Sequence, residues 1–128
     1  MVKTILLVED DPGTMQILTH LLKREGYNVM TAWNGQKARD IVLRSEIDLI
    51  LTDIMMPSID GLEFIQRLKE MEKDKIPPVV FMTAMSGAEF ERLNIQATSL
   101  GAVLVNKIKL MDLGALNKLI RETLGLSS

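Results

Sequence analysis

The sequence predicts an α/β fold, a doubly wound five-stranded parallel sheet with helices on both faces. Three observations predict it. Five short runs rich in Ile, Leu and Val are close to continuously apolar, the stretches between them place apolar residues at helical spacing, and glycine or proline marks the joints. The strand runs are TILLV (4–8), NVMTA (28–32), DLILT (48–52), PVVFMT (78–83) and AVLV (102–105). Met15, Leu18, Leu21 and Leu22 fit one face of a first helix, and Ala38, Ile41 and Val42 a second. Leu62, Ile65 and Leu68 fit a third, Phe90, Leu93, Ala97 and Leu100 a fourth, and Leu113, Leu116, Ile120 and Leu124 a fifth. Gly26, Gly35, Gly61, Gly87 and Gly101 sit at the joints, and Pro57, Pro77 and Pro78 break helix between elements.

Composition narrows the function. A chain of 128 residues suits one domain, 1–128, and its 47% hydrophobic and 25% charged residues can build a core rather than remain disordered. With no cysteine there are no disulfides, no thiolate chemistry and no cysteine zinc site. That suits a reducing compartment, so a cytoplasmic location is expected. No apolar run is long enough for a membrane span, and acids follow MVKTILLV too soon for a signal peptide. A net charge of −2 with no basic stripe gives no footprint for direct nucleic-acid contact.

In an open parallel sheet, functional groups collect beyond the carboxyl ends of the strands, at a topological switch point. Here those ends carry Glu9-Asp10-Asp11, Asp53, Thr83 and Asn106-Lys107. If the strand order is 2-1-3-4-5, the first and third strands are neighbours and their acids share one pocket. Two carboxylates about 4 Å apart repel by about 4 kcal/mol at an effective dielectric near 20. A hard divalent cation such as Mg²⁺ and the Lys107 ammonium reverse that sign. Such a site can accept a phosphoryl group, with a carboxylate as the attacking atom. Each residue also has a plain structural explanation. Asp11, or Asp10, is a good N-cap before Pro12-Gly13; Asp53 is a turn acid before Pro57; Thr83 is a β-branched strand residue; Lys107 is a solvated loop charge. Their joint placement at four strand ends argues for a site.

The motifs ILLVEDDP, TDIMMPSIDG, MTA at the fourth strand, and GA followed by a lysine occur in this order. With them the chain resembles, over essentially its whole length, the receiver domains of two-component response regulators, of the chemotaxis-regulator-like, flavodoxin-like type. The resemblance implies a phosphorylation-controlled signalling switch. In it Asp53 is the phosphoacceptor, Asp10 a direct Mg²⁺ ligand beside Asp53, Glu9 a residue acting on the metal chiefly through water, and the Met55 backbone carbonyl a further ligand. Thr83 is implied as the switch hydroxyl and Lys107 as the ion-pair partner. Pro57 and Gly61 are implied to shape the loop after the acceptor, with Asp11 and Asp60 as turn residues. A sensor histidine kinase or phosphotransfer domain is the implied donor, docking on the first helix around Met15 and Ile17 and on the strand-five loop. A downstream partner or output domain is implied to read the last two helices and strand five. Catalysis is then limited to the chain's own phosphorylation and slow dephosphorylation.

The stretch GAVLVNKIKLMDL departs from the family pattern. Alignment by the strand puts Lys107 at the lysine position, Leu104 where the family has an aromatic residue, and Ile108 where it has proline. Alignment by the last helix favours Lys109. We prefer Lys107, because LVNK keeps the strand continuous. The missing proline implies a less firmly held lysine, and the missing ring removes an aromatic readout. The segment between Thr83 and Gly101 is also longer than usual. The family's water-flanking positions are Met55 and Met85, which implies a long-lived phosphoryl group. His20 falls inside the first helix, away from the strand tips, and Trp33 is either exposed near the site or partly buried under a loop.

Two rivals remain open from sequence. One is a binding module that has kept the fold and lost switching, suggested by the irregular GAVLVNKIK stretch. The other is an Mg²⁺-dependent phosphohydrolase, disfavoured because the second acid such enzymes want two residues after the nucleophile is Met55. No glycine-rich phosphate loop follows the first strand either.

Overall fold

The computed structural model describes residues 2–55, 61–72 and 76–126. The strands are β1 (Thr4–Val8), β2 (Asn28–Ala32), β3 (Leu49–Asp53), β4 (Val79–Thr83) and β5 (Val103–Asn106). The helices are α1 (Pro12–Arg24), α2 (Gly35–Arg44), α3 (Gly61–Glu72), α4 (Gly87–Ser99) and α5 (Leu113–Thr123), with a short 3-10 turn, Lys109–Met111, before α5. Every expected strand and helix is present. The expected strand limits need small corrections: β3, β4 and β5 each begin one residue later, and β3 and β5 run one residue further, to Asp53 and Asn106. Asp48 lies just before β3, its carboxylate accepting the Thr4 N–H at 2.7 Å and its own N–H donating to the Thr4 carbonyl at 2.8 Å. Pro78 has no N–H to donate and contributes only its carbonyl, which accepts from Ile50 at 2.9 Å. Pro57 and Asp60, expected to shape the loop after Asp53, lie outside the described residues.

All strands are parallel in the order β2-β1-β3-β4-β5. The chain therefore winds outward from β1 to β2, returns to β3 and winds the other way, which makes the β1/β3 junction the switch point. Alternation along each strand supplies two cores. Ile5, Leu7, Leu49, Leu51, Val80 and Met82 face α1 and α5, where Leu18, Leu22, Leu116 and Ile120 cover them. Leu6, Val8, Ile50 and Phe81 face the opposite layer, built from Ala38 of α2, Phe64, Ile65 and Leu68 of α3, and Leu93 and Ala97 of α4. Burial on both faces is why these strands read as nearly unbroken apolar runs.

Caps locate the helix starts. The Asp11 carboxylate accepts the Thr14 N–H at 2.8 Å and begins α1, and the Asn34 amide oxygen accepts the Lys37 N–H at 2.8 Å and begins α2. Asp112 does the same for α5, accepting the Gly114 N–H at 2.9 Å. At the start of α3 the constraint is steric. The Gly61 N–H donates to the Ile54 carbonyl at 3.0 Å. A Cβ there would stand 2.3 Å from the Asp53 carbonyl oxygen and 3.0 Å from the Ile54 Cα. Neither is a flexible side-chain end, so the strand tip itself would have to move. We therefore expect Gly61→Ala to cost about 1–3 kcal/mol in urea unfolding, as overpacking does. Gly13→Ala, whose Cβ meets only the Asp11 carboxylate at 3.6 Å, should be neutral or stabilising.

Candidate functional site

The β1/β3 junction places acids side by side. Val8 pairs with Thr52, so the residues that follow, Glu9 and Asp53, emerge together at the carboxyl edge. The Glu9 N–H donates to the Ala32 carbonyl at 3.0 Å and extends the β1–β2 ladder by one bond. Carboxylate oxygens of Glu9, Asp10 and Asp53 all lie within 4.8 Å of one another, and among the described residues this is the one group of three acids or histidines so placed. Glu9 is fully buried, and Asp53 and Thr83 are buried at 6% and 2% exposure. Asp10 keeps access to solvent.

One ammonium holds the acids together. Lys107 Nζ donates to Glu9 Oε1 at 2.6 Å and to Asp53 Oδ2 at 2.7 Å, with only 14% of its side chain exposed. Lys109 makes no such contact and is exposed in the 3-10 turn. The other Asp53 oxygen, Oδ1, accepts the Met55 N–H at 3.0 Å. Across β4, Thr83 Oγ1 accepts the Met85 N–H at 3.1 Å, while the Thr83 carbonyl accepts the Lys107 N–H at 2.7 Å. The threonine and the lysine are thus joined through the backbone.

Lys107 was expected to be loosely held because no proline follows it. Asn106 replaces that restraint: its side-chain oxygen accepts the Ile108 N–H at 2.9 Å and the Lys109 N–H at 3.3 Å. Sequence reasoning passed over Asn106 as a functional residue. The available signal was its type, since asparagine closes a turn by bonding the backbone two residues on.

The electrostatics follow from burial. The Glu9 carboxyl is pushed up from its ordinary 4.5 to about 7, first by burial and further by the Asp53 charge, against the hydrogen bond from Lys107. Burial works to lower Lys107, but the hydrogen bonds and charges of Asp53 and Glu9 outweigh it and raise its pKa. Three carboxylates thus cluster where one ammonium bridges two of them, and Glu9 Oε2 is buried with no hydrogen-bond partner. A buried carboxylate oxygen without a donor is costly, and an acidic pocket of this make-up suits a hard divalent cation. Asp11 lies apart in role: its carboxylate accepts from both the Thr14 N–H and hydroxyl, which hold its pKa below the usual range. His20 is exposed on α1, and Trp33 is 60% exposed beyond β2, with Lys37 Nζ 4.0 Å over its ring.

Comparison with known proteins is consistent with this geometry. Residues 5–118 match the family model described as the response regulator receiver domain. The response regulator GtcR of Aneurinibacillus migulanus is 37% identical over 84 residues, covering 66% of this chain and 34% of that protein. The transcriptional regulatory protein CpxR of Escherichia coli is 39% identical over 89 residues, covering 70% of this chain and 36% of that protein. The matches thus span about a third of the length of these curated relatives. Among solved structures, the chemotaxis protein CheY4 of Vibrio cholerae shares the fold at a TM-score of 0.82 and 24% identity, covering 96% of this chain and 99% of that one. The signal receiver domain of a histidine kinase from Syntrophus aciditrophicus superposes at 0.80 with 27% identity, covering 97% and 91%.

The raised Glu9 pKa has a definite sign. Between 4.5 and about 7 the folded protein holds a proton that the unfolded chain releases, so this contribution to stability is present below 4.5 and lost as pH rises through 7. In metal-free buffer, the urea midpoint of the wild type should fall more steeply from pH 5 to pH 8 than that of Glu9→Gln. Parallel curves for the two proteins would contradict the assignment.

Proposed function

The chain belongs to the response regulator receiver family, and on that premise we propose that residues 1–128 act as one receiver unit whose phosphoacceptor is Asp53. The observation that supports this best is the Lys107 ammonium bridging Glu9 Oε1 and Asp53 Oδ2 at 2.6 and 2.7 Å. It offsets the repulsion of acids that the fold forces together, and it restrains the carboxylate that has to attack.

An Asp53 oxygen attacks the phosphorus of a phosphohistidine; the new O–P bond forms as the N–P bond to the donor breaks, and the imidazole leaves. The backbone N–H of Met55 and the ammonium of Lys107 hold the two Asp53 oxygens, one each, so the carboxylate meets the donor oriented. Glu9, Asp10, Asp53 and the Met55 carbonyl would hold Mg²⁺, and the unpartnered Glu9 Oε2 fits that role. When bound, Mg²⁺ supplies positive charge against the incoming phosphoryl oxygens. Thr83 is the switch hydroxyl. In the present state it accepts the Met85 N–H, and donation of its proton to a phosphoryl oxygen would draw the β4–α4 segment inward.

The donor is a sensor histidine kinase or phosphotransfer domain, and the chain acts in the cytoplasm without turnover on external substrates. No described helix is long and apolar enough to cross a membrane. A downstream partner or attached output domain reads α4, β5 and α5. There a cavity of about 590 Å³ is lined by Phe90, Leu104, Leu110 and Leu119.

Incubation with Mg²⁺ and a small phosphodonor, followed by intact mass measurement, tests the reading. One phosphoryl group should add to the wild type and to Lys109→Ala, and none to Asp53→Asn; Lys107→Ala should accept it slowly or lose switching. No mass gain, together with unchanged partner binding by Asp53→Asn, would instead support the non-switching module. Lifetime gives a second prediction. Met55 and Met85 are 52% and 39% exposed and give attacking water only a weak sulfur acceptor. Loss of phosphate should be slow in the wild type and at least about tenfold faster in Met85→Glu, which can orient and deprotonate water. An unchanged decay rate there would refute it.

A further inference from the structure

Among the described methionines, Met55 and Met85 border the site. The chain has nine methionines and no cysteine, so thioether is its only oxidisable sulfur. Met82, one residue before Thr83, is fully buried, whereas Met55 and Met85 are 52% and 39% exposed. Their backbones are tied to the reacting groups: the Met55 N–H bonds Asp53 Oδ1 at 3.0 Å and the Met85 N–H bonds Thr83 Oγ1 at 3.1 Å. Because β3 and β4 are paired neighbours, both thioethers are anchored at one edge, each two residues past a site side chain.

We propose that Met55 and Met85 form an oxidation site through which peroxide shortens the life of the phosphoryl group on Asp53. This rests on Asp53 being the phosphoacceptor. A thioether sulfur attacks peroxide, the O–O bond breaks, sulfur is oxidised to the sulfoxide, and the remaining peroxide oxygen leaves as water. The product replaces an apolar, weakly accepting sulfur with a polar S=O group. Placed beside the phosphoryl group, that oxygen accepts a hydrogen bond from water and orients it for attack. The new O–P bond forms, the bond from phosphorus to the Asp53 oxygen breaks, and carboxylate and inorganic phosphate leave with protons released to solvent. Met71, 52% exposed near the end of α3, is equally open to oxidant but lies at the opposite edge of the sheet, since α3 runs back from the site.

The test uses the intact chain treated with hydrogen peroxide and mapped by peptide mass, then phosphorylated with Mg²⁺ and a small phosphodonor and followed after donor removal. Sulfoxide should appear at Met55 and Met85 well before Met82. Phosphate loss should accelerate at least about fivefold over untreated protein, the worth of one net hydrogen bond. That ratio should return to one in Met55→Leu/Met85→Leu and persist in Met71→Leu, each variant being compared with its own untreated sample. Equal decay in treated and untreated wild type with both sites oxidised would overturn the proposal. So would acceleration that survives in the double leucine variant, or protection of Met55 and Met85 equal to that of Met82. Failure of untreated wild type to gain an Asp53-dependent mass would overturn the phosphoacceptor reading as well, and so separates the two failures.

Discussion

The ammonium of Lys107 is the interaction on which the site depends. It reaches Glu9, 98 residues away in sequence, and Asp53, 54 residues away, and bonds both within 2.7 Å. Without it, two buried carboxylates would face each other with one backbone N–H for Asp53 and a long contact from Asp11 for Glu9. The cost of such an arrangement is several kcal/mol in a domain whose net stability is about 5–15 kcal/mol. The raised pKa of Glu9 shows that the compensation is incomplete, and the oxygen left without a donor shows where. A site that is incomplete in this way favours added positive charge.

The same lysine is coupled to Thr83. Its N–H bonds the Thr83 carbonyl, the Thr83 hydroxyl bonds the Met85 N–H, and Met85 opens the segment leading to α4. A change at the Asp53 carboxylate therefore has a short covalent and hydrogen-bonded route to the α4 side of the molecule. Beyond it, Leu104 is buried with Leu93 and Ala97 of α4 and lines a cavity of about 590 Å³. Leu104 has no ring, so a readout by a swinging aromatic side chain is absent at this position.

The strand-five loop shows how a departure from the family pattern is compensated. Proline would restrict the backbone directly. Asn106 achieves a related end by accepting two successive N–H groups, at Ile108 and Lys109, and so turns the chain into the 3-10 turn. Ile108, freed from that role, is 71% exposed next to the site.

Much of this was legible in the sequence. Apolar runs and helical spacing located every described strand and α-helix, though not the 3-10 turn at Lys109–Met111, because both periodicities are local consequences of backbone geometry. The acids at the tips of β1 and β3 were visible for the same reason: strand ends are readable, and a doubly wound sheet gathers its chemistry there. What periodicity alone left open was the relation between distant residues; the strand order entered only as a condition and through the family resemblance. Lys107 and Lys109 differ by two positions in a loop, and only the turn held by Asn106 decides which ammonium meets the acids. Likewise Glu9 reads as one acid among three, and its full burial and unpartnered oxygen exist only once β2 and β3 close on either side of β1. Pairing of strands far apart in the chain is set by packing of whole layers, which no local pattern encodes.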